Sequence, residues 1–207
     1  MARNSNRRTD MRARIAAVAA RMMAEDGIDD FALAKRKAAR QLGALEAQSL
    51  PRNDEIEAEL RAYRALYQAD EHPQVIDELR RIALDAMRAL ERFSPYLTGP
   101  VLKGIAGPYA EIELQLFPDS TKDVEIFLLD QNIAFSTQEG RRYSGDQSRA
   151  VSLISLLWQR VPVRLAILDP RDERLSLKTS LAGQAIERAG ITEVSAILSK
   201  RSDDNMP

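Results

Sequence analysis

The chain has 207 residues, no cysteine, 44% hydrophobic and 29% charged residues, and a formal net charge of −1. These values are typical of a globular protein; they exclude disulfide bonds and thiolate metal sites and give no global attraction to nucleic acid. Because no apolar run approaches the roughly 20 residues that span a bilayer, and residues 1–27 lack the continuous apolar segment of a secretory signal, we expect a cytoplasmic protein with no membrane partner.

The first 93 residues are predicted to form helices, because their apolar residues recur at helical spacing. The predicted helices cover residues 9–26, about 29–43, 53–68 and 70–93. Asp29 and Asp30 suit the first turn of the second helix, and Asn53 is expected to be the N-cap of the third. Residues 1–93 are therefore predicted to be an N-terminal helical region.

Beyond residue 93 the pattern changes to mixed strands and helices, so the predicted fold class is α+β, with helices on one face of a mixed sheet. The predicted strands cover residues 109–117, 134–138, 150–158 and 161–169, with a polar loop at 139–149 and a tight turn at Gln159-Arg160. Helices are predicted from the cap Ser120 to residue 133, and from the cap Thr192 to residue 201. The domain boundaries follow as 1–93, 94–200 and a disordered tail at 201–207.

A pair of glutamates in the predicted strand 109–117 is the strongest chemical signal. Ile112, Leu114 and Leu116 point to one side of this strand, so Glu111 and Glu113 share the other side. Two carboxylates side by side can bind Mg²⁺ and, through it, the phosphates of a nucleotide. A glycine-containing turn twelve residues upstream offers backbone N–H groups to phosphate.

This order of elements resembles the nucleotidyltransferase superfamily of DNA polymerase beta type, particularly its small bacterial members with N-terminal helices. The family pattern is a hydrophobic residue, Gly-Ser, a second glycine, and then Asp-hydrophobic-Asp in a strand. The matching residues are Leu97, Thr98, Gly99-Pro100, Gly104 and Glu111-Ile112-Glu113. The resemblance covers about residues 93–169.

The resemblance implies a nucleotidyltransferase that transfers a nucleoside monophosphate from an NTP to an unknown acceptor. Glu111 and Glu113 would then be the catalytic residues and the ligands of Mg²⁺ or Mn²⁺. The residues implied to bind the cofactor are Gly99, Pro100, Lys103 and Gly104. The base, the cellular process and the oligomeric state are not implied.

Three departures from the family pattern suggest an alternative. Pro100 stands where the family has serine and lacks both an N–H group and a hydroxyl. Both aspartates are replaced by Glu111 and Glu113, which are longer by one methylene. The third acid is expected on the strand 161–169, where Arg164 is the polar residue; an arginine there would take the place of a metal. The alternative is a catalytically silent binding or scaffold module with the same fold.

Other features are weaker candidates. His72, the only histidine, has no suggested catalytic partner. The basic segment 34–40 and the arginines upstream allow RNA binding, although a solvated helix face explains them more simply. Asp123 and Glu125 would be a rival carboxylate pair if their segment were a strand, but Ser120 favours a helix there.

Overall fold

The computed structural model describes the chain in four stretches, which are residues 2–28, 30–44, 50–179 and 184–204. Together the helices and a six-stranded mixed sheet make the fold α+β, as predicted. None of the described helices is long and apolar enough to cross a membrane.

The chain divides into two compact units, which are residues 1–75 with 107–109 and residues 76–106 with 110–207. The first unit is helical. Its helices are α1 (Ala2–Glu25), α2 (Phe31–Gln41), α3 (Asn53–Tyr67) and the first residues of α4 (Glu71–Ala89). Buried residues of α1 fall on one helical stripe, which comprises Ile15, Ala16, Ala19, Ala20 and Met23. This spacing is the one that places an apolar face against neighbouring helices.

The caps of α2 and α3 show how far local sequence determines a helix start. Asp30 caps α2, because its side chain accepts hydrogen bonds from two backbone N–H groups of the first turn; Asp29 lies outside the described residues. The prediction that Asn53 is the N-cap of α3 is wrong by one residue. Arg52 occupies that position and its N–H donates to Glu55 at 2.6 Å, whereas the Asn53 side chain accepts from Lys35 at 2.7 Å.

The second unit contains most of α4 and the sheet. Its further elements are β1 (Tyr96–Thr98), α5 (Gly99–Lys103), β2 (Ile112–Leu116), α6 (Thr121–Asp130), β3 (Phe135–Ser144), β4 (Gln147–Trp158), β5 (Val161–Ile167), β6 (Arg188–Ala189) and α7 (Ile191–Asp204). The strand order is β3-β4-β5-β2-β1-β6. Only β2 and β5 are parallel, and the other neighbours are antiparallel.

The two faces of the sheet differ in character. One face is a buried aliphatic layer formed by Ile112, Leu114, Leu116, Val163, Leu165, Ile167, Ile154 and Leu156. The other face carries Glu113 and Arg164 at one end. Further along this face lies a second apolar cluster, which contains Phe117, Val151, Leu168 and Leu177. The predicted direction of the three β2 aliphatics is confirmed.

The predicted loop at 139–149 is wrong, because these residues belong to a long hairpin. β3 and β4 pair from Phe135↔Leu156 to Ser144↔Gln147 around a two-residue turn at Gly145-Asp146. β3 is mostly solvent-exposed on both faces, so its polar residues need no apolar alternation to be stable in a strand. Gly140 is required within this hairpin, since a Cβ atom there would lie 2.7 Å from the Leu153 side chain.

The remaining predicted elements of the second unit are present, but several of their ends are shifted. β2 covers Ile112–Leu116 of the predicted 109–117, so Glu111 directly precedes the strand, and α6 ends at Asp130. Ser120 caps α6, and Gln159 and Arg160 form the tight turn between β4 and β5 with φ angles of 49° and 70°. The cap predicted at Thr192 is wrong, because α7 begins at Ile191 and the Gly190 N–H donates to a side chain of the first turn. The predicted tail begins inside α7, and residues 205–207 lie outside the described residues.

Candidate functional site

The glycine turn after β1 lies directly against a carboxylate. Thr98 and Glu113 are cross-strand partners, and the Thr98 hydroxyl donates to the Glu113 carbonyl at 3.2 Å. Gly99 follows with a φ of 71°, and a Cβ atom on it would lie 2.8 Å from the Glu113 carboxyl carbon. Glycine is favoured here because the backbone is left-handed, and any Cβ atom would also displace the Glu113 carboxylate. The Glu113 carboxylate therefore fills the space beside the turn.

Arg164 lies against both carboxylates of the pair, Glu111 and Glu113. Glu113 and Arg164 are neighbours in the parallel ladder of β2 and β5, so their side chains emerge on the same face of the sheet. The Arg164 guanidinium forms an ion pair with Glu111 and lies 3.8 Å from the nearer Glu113 oxygen. The predicted position of Arg164 beside both glutamates is confirmed. All three side chains are partly exposed, at 41%, 29% and 36% for Arg164, Glu111 and Glu113.

These residues do not fit a Mg²⁺ ion. Mg²⁺ requires near-ideal octahedral oxygen coordination, and here a guanidinium lies against the oxygens that would coordinate it. The positive charge of Arg164 repels a cation at this distance. Among the described residues no group of three histidine, cysteine, aspartate or glutamate side chains is arranged to hold a metal.

A second arginine, Arg142, lies within electrostatic range of Glu113 and Arg164. Burial lowers the pKa of the Arg142 guanidinium, the charge of Glu113 raises it, and the charge of Arg164 lowers it further. Arg142 is in β3, inside the segment that was predicted to be a loop. The strand registers place Arg142 on the same face of the sheet as Glu113 and Arg164.

The other residues implied to bind a nucleotide belong to α5. Pro100 is in the first turn of this five-residue helix, and Lys103 is partly buried in the last. Gly104 ends the helix in a left-handed conformation with a φ of 70°. Arg80, buried in α4, donates from Nε to the Val101 carbonyl at 3.2 Å.

Arg80 also donates from Nη2 to the Leu102 carbonyl, at 2.8 Å. Both hydrogen bonds reach carbonyl groups of the last turn of α5, so Arg80 completes the C-terminal cap that Gly104 begins. Gly104 thus has a structural reason to be glycine that is independent of any ligand.

The weaker candidates fall outside this site. His72 Nε2 lies 2.8 Å from Nη1 of the buried Arg64, within the helical unit. Asp123 and Glu125 are in α6, so they do not form a strand pair. Trp158 donates from its indole to Asp85 at 2.9 Å, at the end of β4.

The basic helices are partly neutralised. Arg12 pairs with Glu55 at 2.6 Å and Arg21 with Glu25 at 2.8 Å. A cluster of exposed basic residues remains on α2, comprising Arg36, Lys37 and Arg40. RNA binding by this unit stays an untested alternative to a solvated helix face.

Comparisons of the chain with protein-family models, with curated proteins and with solved structures give no match. The resemblance to nucleotidyltransferases therefore rests on the residues of the motif alone.

Sequence reasoning missed two residues around the site, Arg80 and Arg142. No local signal points to Arg80, because its hydrogen bonds reach a helix 21 and 22 residues away. The position of Arg142 in a strand could have been predicted, because Gly145-Asp146 is typical of a two-residue hairpin turn. Recognising that turn would have placed Arg142 in a strand of the same sheet.

Proposed function

We propose that this chain is a non-catalytic binding protein built on a nucleotidyltransferase-like sheet. The observation that carries the proposal is the ion pairing of Arg164 with both Glu111 and Glu113. The carboxylates that the resemblance assigns to Mg²⁺ or Mn²⁺ are paired with an arginine of the protein itself. Transfer of a nucleoside monophosphate from an NTP therefore has no metal-binding acid pair to rely on.

The glycine turn supports the same proposal. The phosphates of an NTP would lie beside Gly99 according to the resemblance, but the Glu113 carboxylate lies there. Two negative groups at one position repel each other. Pro100 removes one backbone N–H from the same turn. Both features weaken phosphate binding at the turn without disturbing β1, α5 or β2.

Thermal unfolding in the presence of each NTP, with and without Mg²⁺ or Mn²⁺, tests the proposal, because a ligand that binds the folded state raises the melting temperature. Trp158 is the only tryptophan and lies at the end of β4, so its fluorescence follows the sheet unit. We expect no metal-dependent rise for the wild type. We expect a rise with Mn²⁺ for Arg164→Asp, which supplies a third acid and removes the guanidinium.

If Mg²⁺ or Mn²⁺ raised the melting temperature of the wild-type protein by several degrees, an active nucleotidyltransferase would be the better proposal. Arg164 would then have to turn away from the two glutamates, and Arg164→Lys should weaken neither the metal nor the nucleotide effect. Equal behaviour of wild type and Arg164→Asp at every metal concentration would also contradict the proposal.

A further inference from the structure

A cleft of about 320 Å³ lies at the carboxyl ends of β2 and β5, the two parallel strands of the sheet. Residues 118–121, which follow β2, and residues 167–170, which end and follow β5, form part of its lining. Residues 150–152 of β4 and Glu139 of β3 complete it. The cleft is therefore bounded by the ends of both parallel strands and by the β3–β4 hairpin.

The chain leaves the two parallel strands towards opposite faces of the sheet. After β2 it enters α6, whose first residues line the cleft together with Glu139 and Ser152, and the strand registers place both of these on the aliphatic face. After β5 the chain continues to Leu175 and Leu177, which pack with Val151 on the other face. Segments that diverge in this way leave a crevice outside the strand ends, which is where sheets with parallel strands bind ligands.

The charged side chains of this lining are all carboxylates. They belong to Asp119, Glu139 and Asp169, and among the described residues no lysine or arginine lines the cleft. All three acids are solvent-exposed, and none of them forms an ion pair within the described part of the chain. Asp169 accepts from the Arg171 N–H through Oδ1 at 2.8 Å, which leaves its second oxygen for a ligand.

The N-terminus of α6 adds a smaller charge of the opposite sign. A helix N-terminus carries about half a positive charge. Here the Ser120 hydroxyl already accepts from the Lys122 N–H at 3.2 Å, and Asp123 lies in the first turn. Three full negative charges outweigh what remains, so the cleft favours a cation.

The lining does not suit a single metal ion. Within the described ranges no group of three histidine, cysteine, aspartate or glutamate side chains is arranged to hold one. The three carboxylates are therefore spread along the cleft, and a ligand that meets all of them must carry separated positive charges. The hydroxyl groups of Ser120, Thr121 and Ser152 add neutral hydrogen-bonding groups between the charges.

We propose that this cleft binds a linear polyamine, with its ammonium groups against Asp119, Glu139 and Asp169. Each ammonium group donates hydrogen bonds to carboxylate and hydroxyl oxygens, and those to carboxylates are the stronger kind. The volume lies within the range of small-molecule sites, which begins at about 300 Å³. Glu111 and Glu113 lie at the other end of β2, so the site is independent of the proposed loss of catalysis.

Isothermal titration calorimetry of the full chain with spermidine, in about 0.15 M sodium chloride to screen weak surface attraction, tests the site. We expect saturable binding of one spermidine per chain. Putrescine, which has two charges where spermidine has three, should bind about two- to fivefold more weakly, because one exposed ion pair is lost.

Removing one carboxylate should weaken spermidine binding by a similar factor. We expect a loss of about two- to fivefold for Asp119→Asn and for Glu139→Gln, and a larger loss for the double variant. Asp146→Asn is the matched control, because Asp146 is an exposed acid at the turn of the same hairpin and does not line the cleft. It should bind spermidine as the wild type does.

Filling the cleft without changing its charge separates a site from a merely acidic surface. Ala150 is exposed and lines the cleft, so Ala150→Tyr should reduce spermidine affinity at least tenfold. Ser148→Tyr is its control, since Ser148 is exposed two residues earlier on the same face of β4 and lies outside the lining. Circular dichroism verifies that both variants are folded.

Three results would overturn the site. The first is no saturable binding of spermidine by the wild type up to millimolar concentration. The second is equal affinity for spermidine and putrescine, which would show that the three carboxylates do not act together. The third is equal spermidine affinity in folded Ala150→Tyr and Ser148→Tyr, which would place the ligand outside the cleft; if Ala150→Tyr does not fold, equal affinity of the Asp119→Asn/Glu139→Gln variant and Asp146→Asn has the same meaning.

Discussion

Removing the positive charge of Arg164 should expose the repulsion between the two glutamates. In Arg164→Gln, Glu111 and Glu113 remain on one side of the chain without a cation between them. Glu111 directly precedes β2, and residues two apart in an extended chain are about 7 Å apart. At this distance two like charges repel by about 0.6 kcal/mol in water and about 2.4 kcal/mol at the effective dielectric of a protein surface.

The lost ion pairs add little to this figure, because all three side chains are partly exposed. Exposed ion pairs contribute about 0.2–1 kcal/mol each. We therefore expect Arg164→Gln to lower the free energy of unfolding of the sheet unit by about 1–3 kcal/mol at low salt. In 1 M salt, where the Debye length is about 3 Å, the loss should fall below about 1 kcal/mol.

Urea unfolding followed by Trp158 fluorescence at 0.05 and 1 M sodium chloride measures both values. Arg141→Gln serves as the control for removal of a surface arginine in the same sheet. The double variant Arg164→Gln/Glu113→Gln should recover most of the loss, since it removes one of the two repelling charges. Equal stability of wild type and Arg164→Gln at low salt would show that Arg164 does not neutralise the pair, as would a loss that is unaffected by salt.

Three further predictions concern the turn, the sheet end and the helical unit. In urea unfolding, Gly99→Ala should lower the free energy of unfolding by about 1–2 kcal/mol more than Gly145→Ala. Both glycines have a positive φ, but a Cβ atom meets a carboxylate only at Gly99. Equal losses of stability in the two variants would contradict the close contact. Asp85→Ala should cost about 1–3 kcal/mol, since its carboxylate accepts from an indole and an amide at the β4–β5 turn; a neutral effect in urea unfolding would be evidence against this role. The ion pair with Arg12 lowers the pKa of Glu55. The stabilisation from this ion pair is therefore present above the unfolded pKa of Glu55 and is lost as pH falls through its folded pKa. The stability difference between wild type and Arg12→Gln, measured by urea unfolding with circular dichroism, should be at most about 1 kcal/mol at pH 7 and should shrink towards zero as the medium becomes more acidic; a difference that grows in acid would reverse the sign.

Much of the sheet was predictable because its buried strands alternate strictly. Ile112, Leu114 and Leu116 define the buried side of β2, and Arg164 interrupts an otherwise aliphatic β5. From these two patterns alone, the position of Arg164 beside Glu113 could be predicted. Periodicity is informative where one face of a strand is buried and the other is not.

Periodicity does not predict two of the helix starts, nor the hairpin, whose sequence signal is the Gly145-Asp146 turn. β3 is mostly exposed, and its partly buried residues do not alternate along the strand. Its polar sequence therefore resembles a loop, which is why Arg142 was predicted to lie in one. The cap of α3 shifted because Asn53 bonds to Lys35, 18 residues earlier. Contacts between distant segments determine such details, and local propensity does not contain them.

Binding of Mn²⁺ to the wild-type protein tests the account most directly, because Arg164 is proposed to stand where a metal would bind. Titration followed by electron paramagnetic resonance compares the wild type with Arg164→Asp, each with and without an NTP. We expect no stoichiometric binding by the wild type at millimolar Mn²⁺ and measurable binding by Arg164→Asp, which Glu111→Gln should remove. Stoichiometric Mn²⁺ binding by the wild type that is lost in Glu111→Gln and Glu113→Gln would contradict the account and return the pair to the role of metal ligands.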